Sequence, residues 1–368
     1  MSHPYLRNAL LGLSLAALVA CGGGGSSTGA SGTTGGTVQA ASTGTAVVSL
    51  TDAAGDFQHY VVNVTSIQLK KADGTVVETL PATTQVDFAQ LVNLSEIVSA
   101  AQVPAGTYTS ASITLDYSSA SIIVDNGAGG SITVPTANLL NGSATGTPAI
   151  GSTPITMALT LPTGQPLVVN KGTVSHLALD FTLSLSNTLS PTAANINGST
   201  LPVNVTVTVN PTLAASIVPD ATKSLSLRGG LVSVDSAASS YTIKVRPFFK
   251  RSGSHGDMTV KTTSTTVFQI NGTSSTGSAG LTALAAVAAD TVTLASGVFD
   301  VASKTFTADT VYVGTSIPGA GLDAVDGTVV ARTGNTLTLA SGLVFDRSHD
   351  DSSFSKTCLL YTSDAADE

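Results

Sequence analysis

The sequence has few of the features that mark a disulfide-rich protein or a common enzyme. Only two cysteines occur among 368 residues, and only 10% of the residues are charged. Cys21 and Cys358 each receive another explanation below, so we expect no disulfide. His-Glu-x-x-His, paired-cysteine and P-loop patterns are missing. The sequence therefore predicts a protein that is not an enzyme and requires no cofactor.

The N-terminal apolar stretch is too short to span a bilayer. Residues 10–20 are almost entirely apolar and follow Arg7, whereas a spanning helix needs roughly 20 apolar residues. This pattern predicts a secretory signal peptide over residues 1–20. The ending Leu-Val-Ala-Cys21 resembles the lipobox of bacterial lipoproteins, in which the signal is removed before the cysteine and the thiol receives a diacylglycerol. We therefore predict lipidation of Cys21, the alternative being an ordinary signal peptide with an accidental cysteine.

A linker follows the predicted anchor. Residues 21–44 consist mainly of Gly, Ser, Thr and Ala, a composition that buries too little apolar surface to order the chain. Several fatty chains make such an anchor effectively permanent. The residue after Cys21 is Gly22, which by resemblance to sorting in enteric bacteria favours the outer membrane over the inner one. We expect a folded body that is tethered to the cell envelope.

The last eleven residues, 358–368, read Cys-Leu-Leu-Tyr-Thr-Ser-Asp-Ala-Ala-Asp-Glu. They resemble a translated sequencing adapter, the alternative being a natural acidic tail. Such segments are excluded from fold reasoning. We accordingly expect the native chain to continue beyond Thr357 and Cys358 not to be a native thiol.

The body of the chain reads as an all-β protein. Alternation of apolar and polar residues in Val203–Asn210 and Ala111–Tyr117 predicts strands with one buried face. Asp73-Gly74 supplies a hairpin turn. Several such strands predict an antiparallel β-sandwich over residues 45–210. The one predicted helix is Leu91–Val98, where apolar residues recur near helical spacing.

The second half predicts a smaller unit and part of another. Residues 211–227 read as a linker, and residues 228–322 as a small β-barrel-like domain. Gly327–Leu339 is similar to Gly230–Val245, since both read as strand, small-residue turn and strand. Residues 323–357 are therefore predicted to be the start of a truncated second copy.

Three motifs in the first half resemble a known family of bacterial exported proteins. They are Val48-Ser-Leu-Thr-Asp-Ala-Ala-Gly-Asp-Phe57, the strand Val61–Leu69, and the turn Pro104-Ala-Gly-Thr-Tyr108. The family is domain of unknown function 4382, and the resemblance covers Thr45 to Val209, with Ala54 where the family has proline. From Gly230 onward the chain resembles, more weakly, a second uncharacterised family of small β-barrel character. Neither resemblance implies an activity.

Two acidic residues in the first motif are candidate metal ligands. Asp52 and Asp56 flank a glycine-containing turn and could help to hold Ca²⁺, which takes six to eight oxygen ligands. The alternative is that the carboxylates cap the turn by accepting backbone N–H bonds. Asp87, Asp116 and Asp125 are further candidate oxygen donors.

A basic and aromatic segment is a candidate binding surface. Its residues are Lys244, Arg246, Phe248, Phe249, Lys250 and Arg251. Such a strand could bind phosphate-rich headgroups or nucleic acid, but an exposed barrel rim explains it equally. A net charge of −8 opposes nucleic acid, which is not expected as a partner.

Two histidine-containing segments read as structural. Ser254-His255-Gly256-Asp257 combines a nucleophile, a base and an acid, but triad members usually come from separate segments. A solvated hairpin tip is the better interpretation. His176 lies opposite a row of leucines, which favours an exposed or hydrogen-bonded histidine over a metal ligand.

Three functions remain open from the sequence. The first is a non-enzymatic, lipid-anchored envelope protein whose β-sandwich binds a polysaccharide or an envelope protein. The second is a structural spacer that presents a missing C-terminal domain. The third is a metal-assisted hydrolase built around Asp52 and Asp56.

Overall fold

The computed structural model describes residues 42–52, 57–125, 131–192, 204–248, 252–317, 324–334, 336–345, 352–355 and 359–362. These residues are folded mainly as β-strands, with two short α-helices, so the all-β class is confirmed. Within the described part of the chain, no helix is long and apolar enough to cross a membrane.

The strands of the first half are β1 Thr43–Thr51, β2 Phe57–Lys71, β3 Val76–Glu78, β4 Thr84–Asp87, β5 Leu94–Pro104, β6 Gly106–Asp125, β7 Ser131–Val134, β8 Leu139–Asn141, β9 Ile155–Thr160, β10 Leu167–Val169, β11 Val174–Asp180, β12 Asn187–Ser190, β13 Thr206–Val209 and β14 Ala214–Ser216. Helix α1 is Leu183–Ser186, and two 3-10 helices are Phe88–Val92 and Thr136–Asn138.

The strands of the second half are β15 Ser224–Asp235, β16 Ser240–Val245, β17 Asp257–Lys261, β18 Val267–Ile270, β19 Thr273–Thr276, β20 Val292–Asp300, β21 Thr305–Val313, β22 Ala324–Thr333, β23 Thr336–Phe345, β24 Ser352–Ser355 and β25 Leu359–Thr362. Helix α2 is Gly277–Ala285, and a 3-10 helix is Gly314–Ser316.

Two sheets pack face to face in the first half. The long sheet has eleven strands in the order β14-β11-β1-β5-β15-β16-β17-β21-β18-β19, with β20 pairing β15 and β21. The second sheet has seven strands, in the order β10-β6-β2-β3, with β4, β7 and β9 attached to β2 or β6. The first core lies between them and includes the fully buried Val48, Leu50, Tyr60, Val62 and Ile113. The predicted β-sandwich is therefore present, although β1 pairs with β11 in parallel rather than antiparallel.

Part of the long sheet is buried on both faces. Val48 and Val98 belong to the first core, whereas their neighbours Val47 and Ile97 belong to a second core. The second core is formed largely by the strands that follow β14 and includes Leu225, Tyr241, Ile243, Phe268 and Val311. Strands β1 and β5 therefore separate two cores.

This double burial explains an error in the sequence analysis. The predicted helix Leu91–Val98 is wrong, because the 3-10 helix ends at Val92 and β5 begins at Leu94. A strand with both faces covered loses the alternation of apolar and polar residues, and in β5 the polar Ser95 and Glu96 are buried together with Ile97 and Val98. Without that alternation, the period of a short segment does not distinguish a strand from a helix.

The second half continues the long sheet. β15 pairs in parallel with β5, and the pairings β15-β16-β17-β21-β20 return to β15. The predicted small barrel-like unit is therefore joined to the sheet of the first half through the pairing of β15 with β5. The predicted linker 211–227 is also not an open tether, because β14 pairs with β11 and β15 begins at Ser224.

The last four strands form a separate sheet. β22 and β23 are an antiparallel hairpin, as expected from Gly327–Leu339, and β24 and β25 both pair with β23. Strand β25 lies in the segment that resembles a translated adapter.

Candidate functional site

Asp52 directly follows β1 and is fully buried. Its Oδ1 accepts a 2.8 Å hydrogen bond from the backbone N–H of Leu183, at the start of α1. The preceding residue, Thr182, has a left-handed backbone with φ 51° and ψ 67°. Asp52 thus caps the start of α1, which is 131 positions away, whereas the turn at residues 53–56 that it was expected to cap lies outside the described residues. Its predicted partner Asp56 lies outside the described residues.

Two of the other candidate acids, Asp87 and Asp116, form hydrogen bonds with different neighbours. Asp87 Oδ1 accepts from the backbone N–H groups of Tyr60 and Ala89, and its Oδ2 lies 2.6 Å from His59 Nδ1. Asp116 accepts from the backbone N–H of Ser118. Across the described ranges, no three His, Cys, Asp or Glu side chains are grouped so as to hold a metal ion. The Ca²⁺ site remains a prediction that depends on Asp56.

A buried hydrogen-bond network surrounds Asp52. The Tyr60 hydroxyl donates to Asn187 Oδ1 at 2.8 Å and lies 3.1 Å from the Tyr117 hydroxyl. Asn187 Nδ2 donates to the Leu183 carbonyl. Burial raises the pKa of both tyrosines, so both are neutral donors at physiological pH.

Lys223 closes the same end of the sandwich. Its ammonium donates to Thr51 Oγ1 at 2.8 Å, to the Leu91 carbonyl at 3.3 Å and to the Asp52 carbonyl. An ammonium has three N–H donors, and each of these three oxygens accepts one hydrogen bond from it. These hydrogen bonds hold Thr51 and Asp52, the described end of the first family motif, against Leu91 and Lys223. The sequence analysis missed Lys223 because it lies in the predicted linker.

The predicted basic surface is only partly exposed. Arg246 is buried, and its guanidinium binds Asp290 Oδ1 at 2.7 Å and the Gly253 carbonyl at 2.9 Å. Phe248 packs against the first core, while Lys244 is half-buried. The expectation of an exposed basic rim is not met at Arg246, because its buried guanidinium pairs with Asp290, whose own side chain is exposed. Phe249, Lys250 and Arg251 lie outside the described residues.

The Ser254–Asp257 segment is not a fully solvated tip. His255 is buried, its Nδ1 lies 2.9 Å from the Val98 carbonyl, and its own carbonyl accepts from Ala100 N–H at 2.7 Å. Gly256 has φ +98° and approaches Ala100 so closely that a Cβ would lie 1.9 Å from the Ala100 oxygen. The solvated interpretation is therefore wrong for His255, although Ser254 and Asp257 are exposed.

His176 is also buried, on the face of β11 that is turned away from the first core. Its Nε2 lies 2.9 Å from Ser49 Oγ, and its ring packs against Phe299 with centroids 5.2 Å apart. Burial lowers the pKa of His176 to about 4, so the ring is neutral at pH 7. Of the two alternatives expected for His176, exposed or hydrogen-bonded, the structure shows the hydrogen-bonded one. The ring is not exposed, because the second half of the chain covers this face.

His176 lies at a small open cleft, which we call the His176 cleft. Its volume is about 190 Å³. It is lined by Pro166, Leu167, Val168, Val174, Ser175, His176, Ile217, Phe299, Val301 and Lys304. Val168 and Val301 remain 44% and 37% exposed, so apolar surface is accessible there. The sequence analysis missed the cleft because it combines β10, β11, the residue after β14 and the β20–β21 turn.

The fold and the cleft define a β-sandwich protein with a small apolar site beside its second core. A family model described as Domain of unknown function (DUF4382) matches residues 43–244, more than half of the chain. The chain belongs to this family. The match extends past the predicted boundary at residue 227 and includes β15 and nearly all of β16. No curated protein and no solved structure matches the chain significantly.

Proposed function

We propose that this is a lipid-anchored protein of the bacterial cell envelope, held preferentially in the outer membrane, that binds a ligand and catalyses no reaction. The anchor is supported by the Leu-Val-Ala-Cys21 pattern and by the Gly/Ser/Thr-rich segment behind it. Strand β1 begins at Thr43, where that segment ends. The folded body would therefore follow directly after the Gly/Ser/Thr-rich segment that carries the proposed anchor.

The His176 cleft is the observation that carries the binding proposal. Ligand sites are concave, mostly apolar and equipped with a few fixed polar groups. Among the described lining residues, only Ser175, His176 and Lys304 have polar side chains, and the Ser175 hydroxyl already donates to the Val168 carbonyl. Buried sugar hydroxyls need hydrogen-bond partners, and this cleft offers few polar side chains that could serve as such partners. Of the two ligand classes that the sequence suggests, we therefore favour an envelope protein over a polysaccharide.

The anchor and the binding surface are tested separately in cells. For the anchor, the full chain and its Cys21→Ala variant are labelled with radioactive palmitate, and we expect only the wild type to carry label. Label that persists in the variant would refute the lipid anchor.

For the binding surface, a photocrosslinking amino acid is placed at Val168 in the cleft and, as a matched control, at Val76. Both valines are exposed, at 44% and 51%. We expect a defined envelope protein to crosslink at Val168 alone and, once purified, to bind the wild type. Equal crosslinking at both positions, or a thermal shift caused by polysaccharides alone, would contradict this choice of partner.

A spacer is the second candidate function. Its support is that β5 contributes to both cores and pairs with both β1 and β15, which joins the two halves through one continuous sheet. A spacer requires this rigidity but not the cleft. If a Val168→Trp variant retains full function in cells, the spacer is favoured over binding.

A further inference from the structure

We infer that the His176 cleft binds an apolar group that carries a carboxylate, with Lys304 as its counter-ion. This inference rests on the proposed binding function, because it names the ligand chemistry of the same cleft.

The walls of the cleft select an apolar group of limited size. Leu167, Val174, Ile217 and Phe299 surround the space with hydrocarbon. Sites for drug-sized ligands usually measure about 300–1,000 Å³, whereas this cleft measures about 190 Å³. The space therefore suits one aromatic ring or a short branched chain.

Lys304 supplies the charge of the cleft. Among the described lining residues it is the only lysine or arginine, and burial keeps the His176 imidazole neutral. His176 is also held in place by Ser49 and Phe299, so it forms a fixed part of the wall. None of the described lining residues carries a carboxylate, so Lys304 gives this part of the lining a positive charge.

The ammonium of Lys304 has capacity left for a ligand. Its contact with Thr173 Oγ1 is 3.5 Å long, at the outer limit of a hydrogen bond. Among the described residues, Lys304 forms no ion pair. Its backbone lies in the left-handed region, with φ +57°, in the turn between β20 and β21. An ammonium beside apolar walls favours an anion whose remaining atoms are apolar.

Two sources share this chemistry. One is the C-terminal residue of an envelope protein, which presents an apolar side chain next to a free carboxylate. The other is a free monocarboxylic acid with a ring or a short chain. A binding measurement with both kinds of probe distinguishes them.

The experiment is calorimetric titration of the full chain at pH 7. The free probes are phenylacetate and its neutral counterpart 2-phenylethanol. The peptide probes are Gly-Ser-Ala-Phe with a free and with an amidated C-terminus. We expect each carboxylate to bind at least tenfold more tightly than its neutral counterpart. The tighter of the two carboxylates identifies the source.

Two pairs of variants locate the effect. Lys304→Met should remove the preference for the carboxylate, whereas Lys70→Met, on an exposed part of β2 outside the cleft, should retain it. Val168→Trp fills the cleft from its rim and should abolish binding, whereas Val76→Trp should not. Thermal unfolding of each variant verifies that it is folded.

The outcomes test the carboxylate inference separately from the proposal that the cleft is a binding site. Equal affinity for charged and neutral probes, or a Lys304→Met variant that keeps the preference, overturns the carboxylate while leaving the cleft as a binding site. If no probe binds the wild type, the inference is also overturned, and crosslinking from Val168 still decides the proposed function independently.

Discussion

Replacing Glu96 by Gln should stabilise the protein in a pH-dependent way. Glu96 lies on β5 beside β15 and is only 5% exposed. Burial raises the pKa of its carboxyl from 4.5 to about 7, and this effect outweighs the Ser226 hydrogen bond, the Phe248 N–H and the charge of Arg228, which all lower it.

The expected magnitude follows from proton linkage. Between pH 4.5 and about 7 the folded protein holds a proton on Glu96 that the unfolded chain has lost, so stability falls as pH rises through this window. A pKa displaced from 4.5 to about 7 corresponds to about 3 kcal/mol. Glu96→Gln is neutral at every pH. It should therefore raise the free energy of unfolding by up to about 3 kcal/mol at pH 8 and change it little at pH 4.5.

The assay is urea unfolding of wild type and variant at pH 4.5, 6 and 8, compared at each pH. Wild type and variant are compared at the same pH, because protonation of His176 changes the stability of both proteins with pH in the direction opposite to Glu96. Its lowered pKa, about 4, makes the folded state lose stability as pH falls below about 6.5. Asp309→Asn, which removes an exposed carboxyl on β21, is the control and should show no such pH-dependent gain. A Glu96→Gln effect that is equal at pH 4.5 and 8, or destabilising at pH 8, would refute the reasoning.

Two further predictions concern positions where the backbone is closely held. Asp52→Ala should lower the free energy of unfolding by about 1–3 kcal/mol, because it leaves the buried Leu183 N–H without its acceptor. Urea unfolding measures this loss, and an effect below about 0.5 kcal/mol would contradict the structural role. Gly256→Ala should destabilise more than Gly253→Ala. Both glycines have a positive φ, a backbone conformation that costs a residue with a Cβ about 1–2 kcal/mol. At Gly256 the added Cβ would also collide with the Ala100 carbonyl, which costs about another 1–3 kcal/mol. Equal melting temperatures for the two variants would rule out that contact.

Local features of the fold were predictable from the sequence. Val207 and Val209 alternate with Thr206 and Thr208 on β13, and both valines are fully buried. The Asp73-Gly74 turn joins β2 to β3, and Asp73 Oδ1 accepts from Thr75 N–H at 2.8 Å. Each of these features depends on neighbours within a few positions.

The candidate site could not be predicted, because distant residues form it. Ser49 and His176 are 127 positions apart, and Thr173 and Lys304 are 131 apart. The alternation around His176 correctly separated two faces of β11, but it could not show that the second half covers the polar face. The same covering buries Ser95 and Glu96 together with Ile97 and Val98 on β5, so the strand shows no apolar–polar alternation and was predicted as a helix. Parallel pairing of β15 with β5 likewise has no local signature.

The most direct test of the account is methyl NMR of the full chain, labelled at its Ile, Leu and Val methyl groups and titrated with phenylacetate. The account predicts progressive shifts of the Val174, Ile217 and Val301 signals, which line the His176 cleft, with no change at Val62 in the first core. Shifts confined to methyl groups elsewhere, or no shifts up to the solubility of the probe, would contradict the inference that this cleft binds an apolar carboxylate.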